Sequence, residues 1–234
     1  METQINKLAI DIYSSTFDII AAKNDWKNWR RHYQLSNNEQ YANYAWLALQ
    51  IIDIHYLYRG IYIKLDTKNT NIKKYYDAWC DAEQIELIAN NIKRNFPTFL
   101  NTIALIINQV HIIQSLFPYK LFTSTEILIK EERCSICGAT RNVFKPCGHQ
   151  KGHVYNGKLC YNTATKCDIV GLSLVTNPVK KYAVVFQQDE TGNEIEYSYN
   201  YIDALMYYWQ KPYQFWNYYV IDNNIGNVIR FYKT

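Results

Sequence analysis

The feature that most constrains this chain is a segment of 28 residues, 133–160, that contains four cysteines and two histidines. Its first pair, Cys134 and Cys137, has the C-x-x-C-G spacing of a knuckle whose two thiolates face one metal ion. Cys147 and His149 form a second close pair. Two close pairs of sulfur and nitrogen ligands suit a tetrahedral metal ion, so the sequence predicts a Zn²⁺ site built from these four side chains.

The fourth ligand is left open by the spacing alone, because Cys160 could take the place of His149. Either set is closed, with no free position for a substrate, which favours a structural ion over a catalytic one. Cys80, which stands alone in the sequence, is expected to pack as a small apolar side chain. Cys167 is also expected to lie in the core.

Neither a membrane span nor a secretory signal is expected. Mean hydropathy is −0.33, and the longest apolar stretch, which includes Ile103–Ile107, is interrupted by Asn101, Asn108 and His111. A span needs about 20 mostly apolar residues in succession. The first residues lack a basic segment followed by an apolar run. We therefore expect a cytoplasmic protein, where clustered cysteines indicate metal binding more often than disulfides.

The first 120 residues show the periodicity of an array of five antiparallel helices. The first helix is expected to run on through Ile20, and Ser36 with Glu39 has the spacing of a capping box that opens a long helix ending at Gly60. A fourth helix is predicted over Ile72–Asn95. The last is expected over Thr98–Leu116, before a proline.

After residue 120 the pattern changes to short β-branched runs. Strands are predicted over residues 126–130 and 182–188, and a hairpin turn with its second strand over residues 189–199. One helix is predicted over residues 200–210, and two more strands over residues 218–233. The predicted fold is thus α+β, with a helical domain over residues 1–120 and a small zinc-stabilised α+β module over 121–234.

A longer pattern surrounds the ligand pairs: C-x-x-C-G, then C-x-H-x-x-G-x-x-Y-x-G-x-x-C-Y, then S-x-V-x-x-P. The positions are Cys134, Cys137, Gly138, Cys147, His149, Gly152, Tyr155, Gly157, Cys160, Tyr161, Ser173, Val175 and Pro178. This region, up to about Val185, resembles a cysteine-rich segment of some tailed-phage prohead (head-maturation) protease-like proteins. The resemblance implies a metal-binding insert leading into a strand, supports Cys160 as a ligand, and points to a phage or mobile-element context. Protease activity does not carry over, because no serine lies beside a histidine in a recognisable arrangement.

The charge is uneven along the chain. Residues 131–180 carry seven basic and three acidic side chains, although the whole chain has a net charge of only +4. Such a basic segment could contact nucleic-acid phosphates, and the candidates are Lys145, Lys151, Lys158 and Arg141.

Three functions follow from these patterns. The sequence favours a zinc-binding interaction or adaptor protein of phage, mobile-element or anti-phage-defence context, with a protein partner or a second copy of itself. The alternatives are a nucleic-acid-binding protein and, behind it, a metal-dependent nuclease or hydrolase using Asp77, Asp81 and Glu83. An enzyme is less favoured, because phosphate-binding glycine loops, dinucleotide fingerprints and nucleophile elbows do not occur in the sequence.

Overall fold

The structure, a computed structural model, describes residues 1–14, 16–66, 70–142, 144–186, 197–209 and 211–213. An N-terminal helical array precedes a small β region, which confirms the predicted α+β class. The elements in chain order are α1 (Glu2–Asp11), α2 (Ile19–Leu35), α3 (Glu39–Lys64), α4 (Ile72–Asn95), a 3₁₀ helix (Pro97–Thr102), α5 (Ala104–Leu116), β1 (Phe122–Cys134), β2 (Val154–Tyr155), β3 (Lys158–Leu159), β4 (Asn162–Val175) and α6 (Asn200–Tyr208).

Local hydrogen bonding corrects three of the predicted helix boundaries. The first helix stops at Asp11, and a separate helix begins at Ile19, where Asp18 caps it by accepting from the N–H groups of Ile20 and Ala21. The predicted capping box is wrong: Asn38, two residues after Ser36, accepts from the N–H of Tyr41 and caps α3. The long helix also passes Gly60 and ends at Lys64.

The last predicted helix is divided in two, because Pro97–Thr102 forms a 3₁₀ turn before α5 begins at Ala104. By contrast, α4 has the predicted bounds, Ile72–Asn95. It ends before Phe96-Pro97, where the residue preceding proline leaves the helical conformation.

Helix α3 forms the centre of the array and packs against α1, α2, α4 and α5. It is buried on most of its surface, so its sequence is apolar all round rather than striped. The same core takes in Phe122, Val154, Ile202 and Met206 from beyond the helices. Residues on both sides of the predicted boundary at 120/121 therefore share one core, and the division into two domains stays a prediction.

None of the helices in the described ranges combines the length and apolar character needed to traverse a lipid bilayer.

The β region is dominated by a two-stranded antiparallel ribbon formed by β1 and β4, from the Phe122–Val175 pair to the Cys134–Asn162 pair. The predicted strand over 126–130 is part of it. Only the end pair at Phe122 and Val175 packs on the helical core, and most of the ribbon is exposed. We call this element the β1–β4 ribbon.

The ribbon is attached to the helices at both ends. At one end the Phe122 ring lies against Trp79 of α4, and at the other the loop after Cys134 reaches Asn95 of the same helix. Along α4 these attachments are about 24 Å apart, whereas thirteen strand residues (β1) extend about 40 Å. The ribbon is therefore longer than the distance between these attachments, and three register shifts interrupt its regular pairing.

The remaining strand predictions have mixed outcomes. Of the predicted strand over 182–188, residues 182–186 are described, and within them the structure contains one isolated bridge, between Val184 and Phe122. The helix predicted at 200–210 is present as α6. The body of the hairpin turn expected at 189–199 and the two strands expected at 218–233 lie outside the described residues.

Candidate metal centre

The first half of the predicted site is a tight knuckle at the end of β1. Cys134 is the last residue of the strand, and the chain turns back so that the N–H of Gly138 donates to the Cys134 carbonyl at 2.8 Å. Gly138 has a φ of +72°, a left-handed conformation that favours glycine. This turn brings Cys137 back beside Cys134.

The second half, Cys147 and His149, lies on the following loop around Gly148, whose φ is +81°. One ligand atom from each of Cys134, Cys137, Cys147 and His149 lies within 4.8 Å of all the others. With metal–ligand bonds of about 2.0–2.3 Å, a tetrahedral zinc ion separates its ligands by less than about 4 Å, so a small contraction suffices. The cluster could hold a metal ion; its geometry is compatible with zinc but does not identify the ion.

The imidazole of His149 fits a role as ligand. Its buried Nδ1 has no hydrogen-bond partner among the described residues. The ring packs edge-on against Tyr155, with 4.7 Å between ring centroids, which fixes its orientation. A buried nitrogen without a partner is costly unless a metal ion or a water molecule satisfies it.

Cys160 lies beside the cluster. Its side chain is buried, and its Sγ is 3.8 Å from the Sγ of Cys134, but it does not belong to the group of four ligand atoms that lie within 4.8 Å of one another. Arg141 donates to this sulfur at 3.3 Å. The geometry therefore favours His149 over Cys160 as the fourth ligand, and Cys160 is a buried neighbour of the cluster.

Arg141 connects the parts of the site. Its Nη1 donates to the His149 carbonyl at 2.6 Å and to the Cys147 sulfur at 3.5 Å. Three thiolates around one Zn²⁺ leave a net charge of −1, which a guanidinium at this distance offsets. The nearby cysteine thiolates also raise the pKa of Arg141 against the opposing effect of desolvation.

The local hydrogen bonds favour a thiolate at Cys134. Burial raises the pKa of this thiol, but the backbone N–H groups of Cys137 and Ile136 and the thiols of Cys137 and Cys147 more than offset that, and the pKa falls to about 6. For Cys160 the balance is the opposite: burial and the neighbouring Cys134 raise the pKa, and Arg141 only partly compensates. The backbone N–H of Ala139 lowers the pKa of Cys137, but burial and the neighbouring Cys134 and Cys147 outweigh it and raise the pKa of this cluster member as well. The pKa directions therefore do not separate the ligands from Cys160.

Three asparagine and glutamine side chains and a glutamate hold this loop on the helices, and sequence patterns did not reveal them. Asn95 accepts from the Val154 N–H at 3.0 Å and donates to the Gly152 carbonyl at 2.9 Å. The turn at residues 156–157 bonds in the same way to Gln34, Glu39 and Asn43. Single polar residues at helix ends have no periodic signal, so only the preference of such turns for glycine could have suggested the contact.

Gly157 shows how closely this turn approaches α3. Its φ is +68°, and a Cβ placed on it would lie 2.9 Å from the carbonyl oxygen of Ala42. Side chains larger than hydrogen would therefore push the loop off the helix.

The four residues predicted to contact nucleic acid do not all face the solvent. Lys145, Lys151 and Lys158 are exposed around the loop, whereas the guanidinium of Arg141 is turned inward to the sulfurs. Phosphate binding by these residues stays a prediction.

Other candidate residues are placed away from the centre. The expectation that Cys167 lies in the core is wrong, because it is exposed on β4. Asp77 pairs with Lys73, Asp81 with Lys64, and Oε1 of Glu83 accepts from the Lys181 N–H. The buried Oε2 of Glu83 has no hydrogen-bond partner among the described residues. Within the described ranges, these acids do not form a second group able to hold a metal ion.

The arrangement is therefore a four-ligand Cys/His cluster at the junction between a β ribbon and a helical array. No protein-family model, curated protein or solved structure matches this chain.

Proposed function

We propose that Cys134, Cys137, Cys147 and His149 hold one structural Zn²⁺ in a protein that works by binding other macromolecules rather than by catalysis. The observation that supports this most is where the cluster lies. It ties the far end of β1 to the loop that docks on α2, α3 and α4, so an ion there would fix the ribbon to the helices.

The composition of the cluster supports a structural role. Three sulfurs and one nitrogen complete a tetrahedron and leave no position for a substrate or a reactive water molecule. Arg141 and the aromatic ring of Tyr155 close off the surroundings of Cys147 and His149. Catalytic zinc usually keeps one open position, which this set lacks.

An interaction or adaptor role fits the rest of the molecule, because the ribbon presents a large exposed surface on a scaffold that is rigidly packed. The resemblance of the cysteine segment to prohead protease-like proteins supports a phage, mobile-element or anti-phage-defence context for that role. It lends no support to peptide cleavage.

Metal analysis of the purified chain tests the proposal. We expect about one zinc per chain in the wild type and in Cys80→Ser, whose sulfur is distant from the cluster, and little in Cys137→Ser, because a serine hydroxyl binds zinc poorly. Iron measured on the same samples separates a zinc site from an iron–sulfur site. A wild-type protein without bound metal, or equal zinc in Cys137→Ser, would contradict the proposal.

A further inference from the structure

The β1–β4 ribbon is amphipathic, and its register shows which residues share a face. Paired residues of an antiparallel ribbon lie on the same face, and successive residues along a strand lie on opposite faces. The pairs Thr125–Leu172, Ile127–Ile169 and Ile129–Cys167 therefore share one face. We call Ile127, Ile129, Ile169, Leu172 and Leu174 the apolar face of the ribbon.

A β-bulge keeps this face continuous. Gly171 pairs with Glu126 and Ile169 with Ile127, so Val170 is the extra residue between them. Without it, Ile169 would fall on the opposite face from Leu172, because side chains alternate with a period of two. The bulge thus aligns apolar side chains that the bare sequence places out of phase.

The opposite face of the ribbon is polar and internally paired. Ser173 donates to Glu126 at 3.1 Å, Lys166 lies 3.2 Å from Glu131, and Lys130 pairs with Asp168. The two strands together carry three basic and four acidic side chains, a net charge of −1. A surface of this charge does not attract a polyanion, so nucleic acid is a poor occupant of the ribbon.

The apolar face is large for an exposed patch on a single chain. Its five side chains are between 47% and 77% exposed. Together they amount to about three fully exposed aliphatic residues, or about 500–600 Å², which is at the upper end of the largest apolar patch on typical monomers. Within the described residues, the ribbon strands pack chiefly on each other, so this face has no cover.

We propose that the apolar face is the dimerisation surface of this protein, and that its occupant is the same face of a second copy. Two such faces would stack as a small β-sandwich about 10 Å thick, related by a two-fold axis. Complete burial of both faces would remove about 1,000–1,200 Å² from water, which reaches the minimum of about 1,000 Å² for a biological interface. The near-neutral ribbon permits two copies to approach without repulsion. This inference rests on the proposed interaction role, and the partner that it assigns is a second copy of the same chain.

Two adjacent residues provide a matched test. Ile127 is on the apolar face and Leu128 on the polar face, and their exposures are nearly equal, 50% and 54%. Sedimentation of the zinc-loaded full chain should show a dimer in the wild type. Ile127→Lys should weaken dimerisation about a hundredfold or more, because the two-fold axis places the change in the interface twice. Leu128→Lys should leave the dimer constant within about threefold.

Cys167 supplies a second measurement, since it lies on the apolar face next to Ile129. Its alkylation, followed by peptide mass spectrometry, should slow as the wild-type dimer forms and should stay fast in Ile127→Lys. A wild-type monomer with a reactive Cys167 would overturn the proposal. So would a monomer with a protected Cys167, which would mean that another part of the same chain covers the face.

Equal weakening of the dimer by Ile127→Lys and Leu128→Lys would also overturn the dimer proposal. Zinc content measured on the same samples separates the two claims: a dimer without metal would contradict the structural zinc, and a metal-loaded monomer would contradict only the dimer.

Discussion

Cys134→Ser is expected to lose the metal ion and to unfold the loop over residues 135–161 while the helical array stays folded. Cys134 is 2% exposed, ends β1 and contacts both Cys137 and Cys160, so its replacement removes a ligand and breaks the junction between strand and loop. Structural zinc contributes about 10–16 kcal/mol of binding free energy in small zinc-finger peptides. Losing about 4 kcal/mol of that here would lower the melting temperature by about 10 °C.

Hydrogen exchange locates this effect. Peptides from residues 135–161 should lose protection in Cys134→Ser, and those from the middle of α3 should keep it, because α3 is buried by helices rather than by the loop. Cys167→Ser is the matched control, since that sulfur is exposed on the same ribbon and outside the cluster. Unchanged exchange and melting in a metal-free Cys134→Ser would show that the ion does not hold the fold.

Trp79→Ala is expected to destabilise the whole protein by about 3–5 kcal/mol, the range measured for buried aromatic residues. Trp79 is 5% exposed, and its ring centroid lies 5.3 Å from that of Phe117 and 5.2 Å from that of Tyr119. Its Nε1–H also donates to the Lys181 carbonyl at 2.6 Å, so the substitution leaves both a cavity and an acceptor without its donor.

Denaturant unfolding measures this loss, with Trp29→Ala as the matched control. Trp29 is 45% exposed and stacks only loosely on Tyr33, so its removal should cost less than about 1 kcal/mol. Comparable losses for the two variants would contradict the role of Trp79 as a buried part of the core. The ribbon is attached there through Phe122, so Trp79→Ala should also increase exchange at the start of β1.

The parts of the fold that were predictable have local signals. The bounds of α4 follow from apolar periodicity and from a proline that stops it, and the knuckle follows from the spacing of Cys134 and Cys137. The capping of α3 by Asn38 was missed because Ser36 and Glu39 offered an equally plausible local pattern. Which cap forms depends on where the preceding helix ends, and α2 continues to Leu35.

The ribbon could not be predicted at its full length, because its strands pair across the whole metal loop. Charged residues from Lys130 to Arg133 obscure the alternation in β1, and the bulge at Val170 shifts the phase of β4. Pairing register is a property of two strands together and is not visible in either alone. The same applies to the contacts of Asn43 and Asn95 with the loop, which exist only once the helices are assembled.

The central claim is a closed site of three sulfurs and one nitrogen, and X-ray absorption at the zinc edge of the purified protein tests it most directly. We expect three sulfur ligands at about 2.3 Å and one nitrogen at about 2.0 Å, from Cys134, Cys137, Cys147 and His149. Four sulfurs would instead place Cys160 in the site in place of His149. An oxygen ligand in an open coordination position would contradict the structural role and point to catalysis.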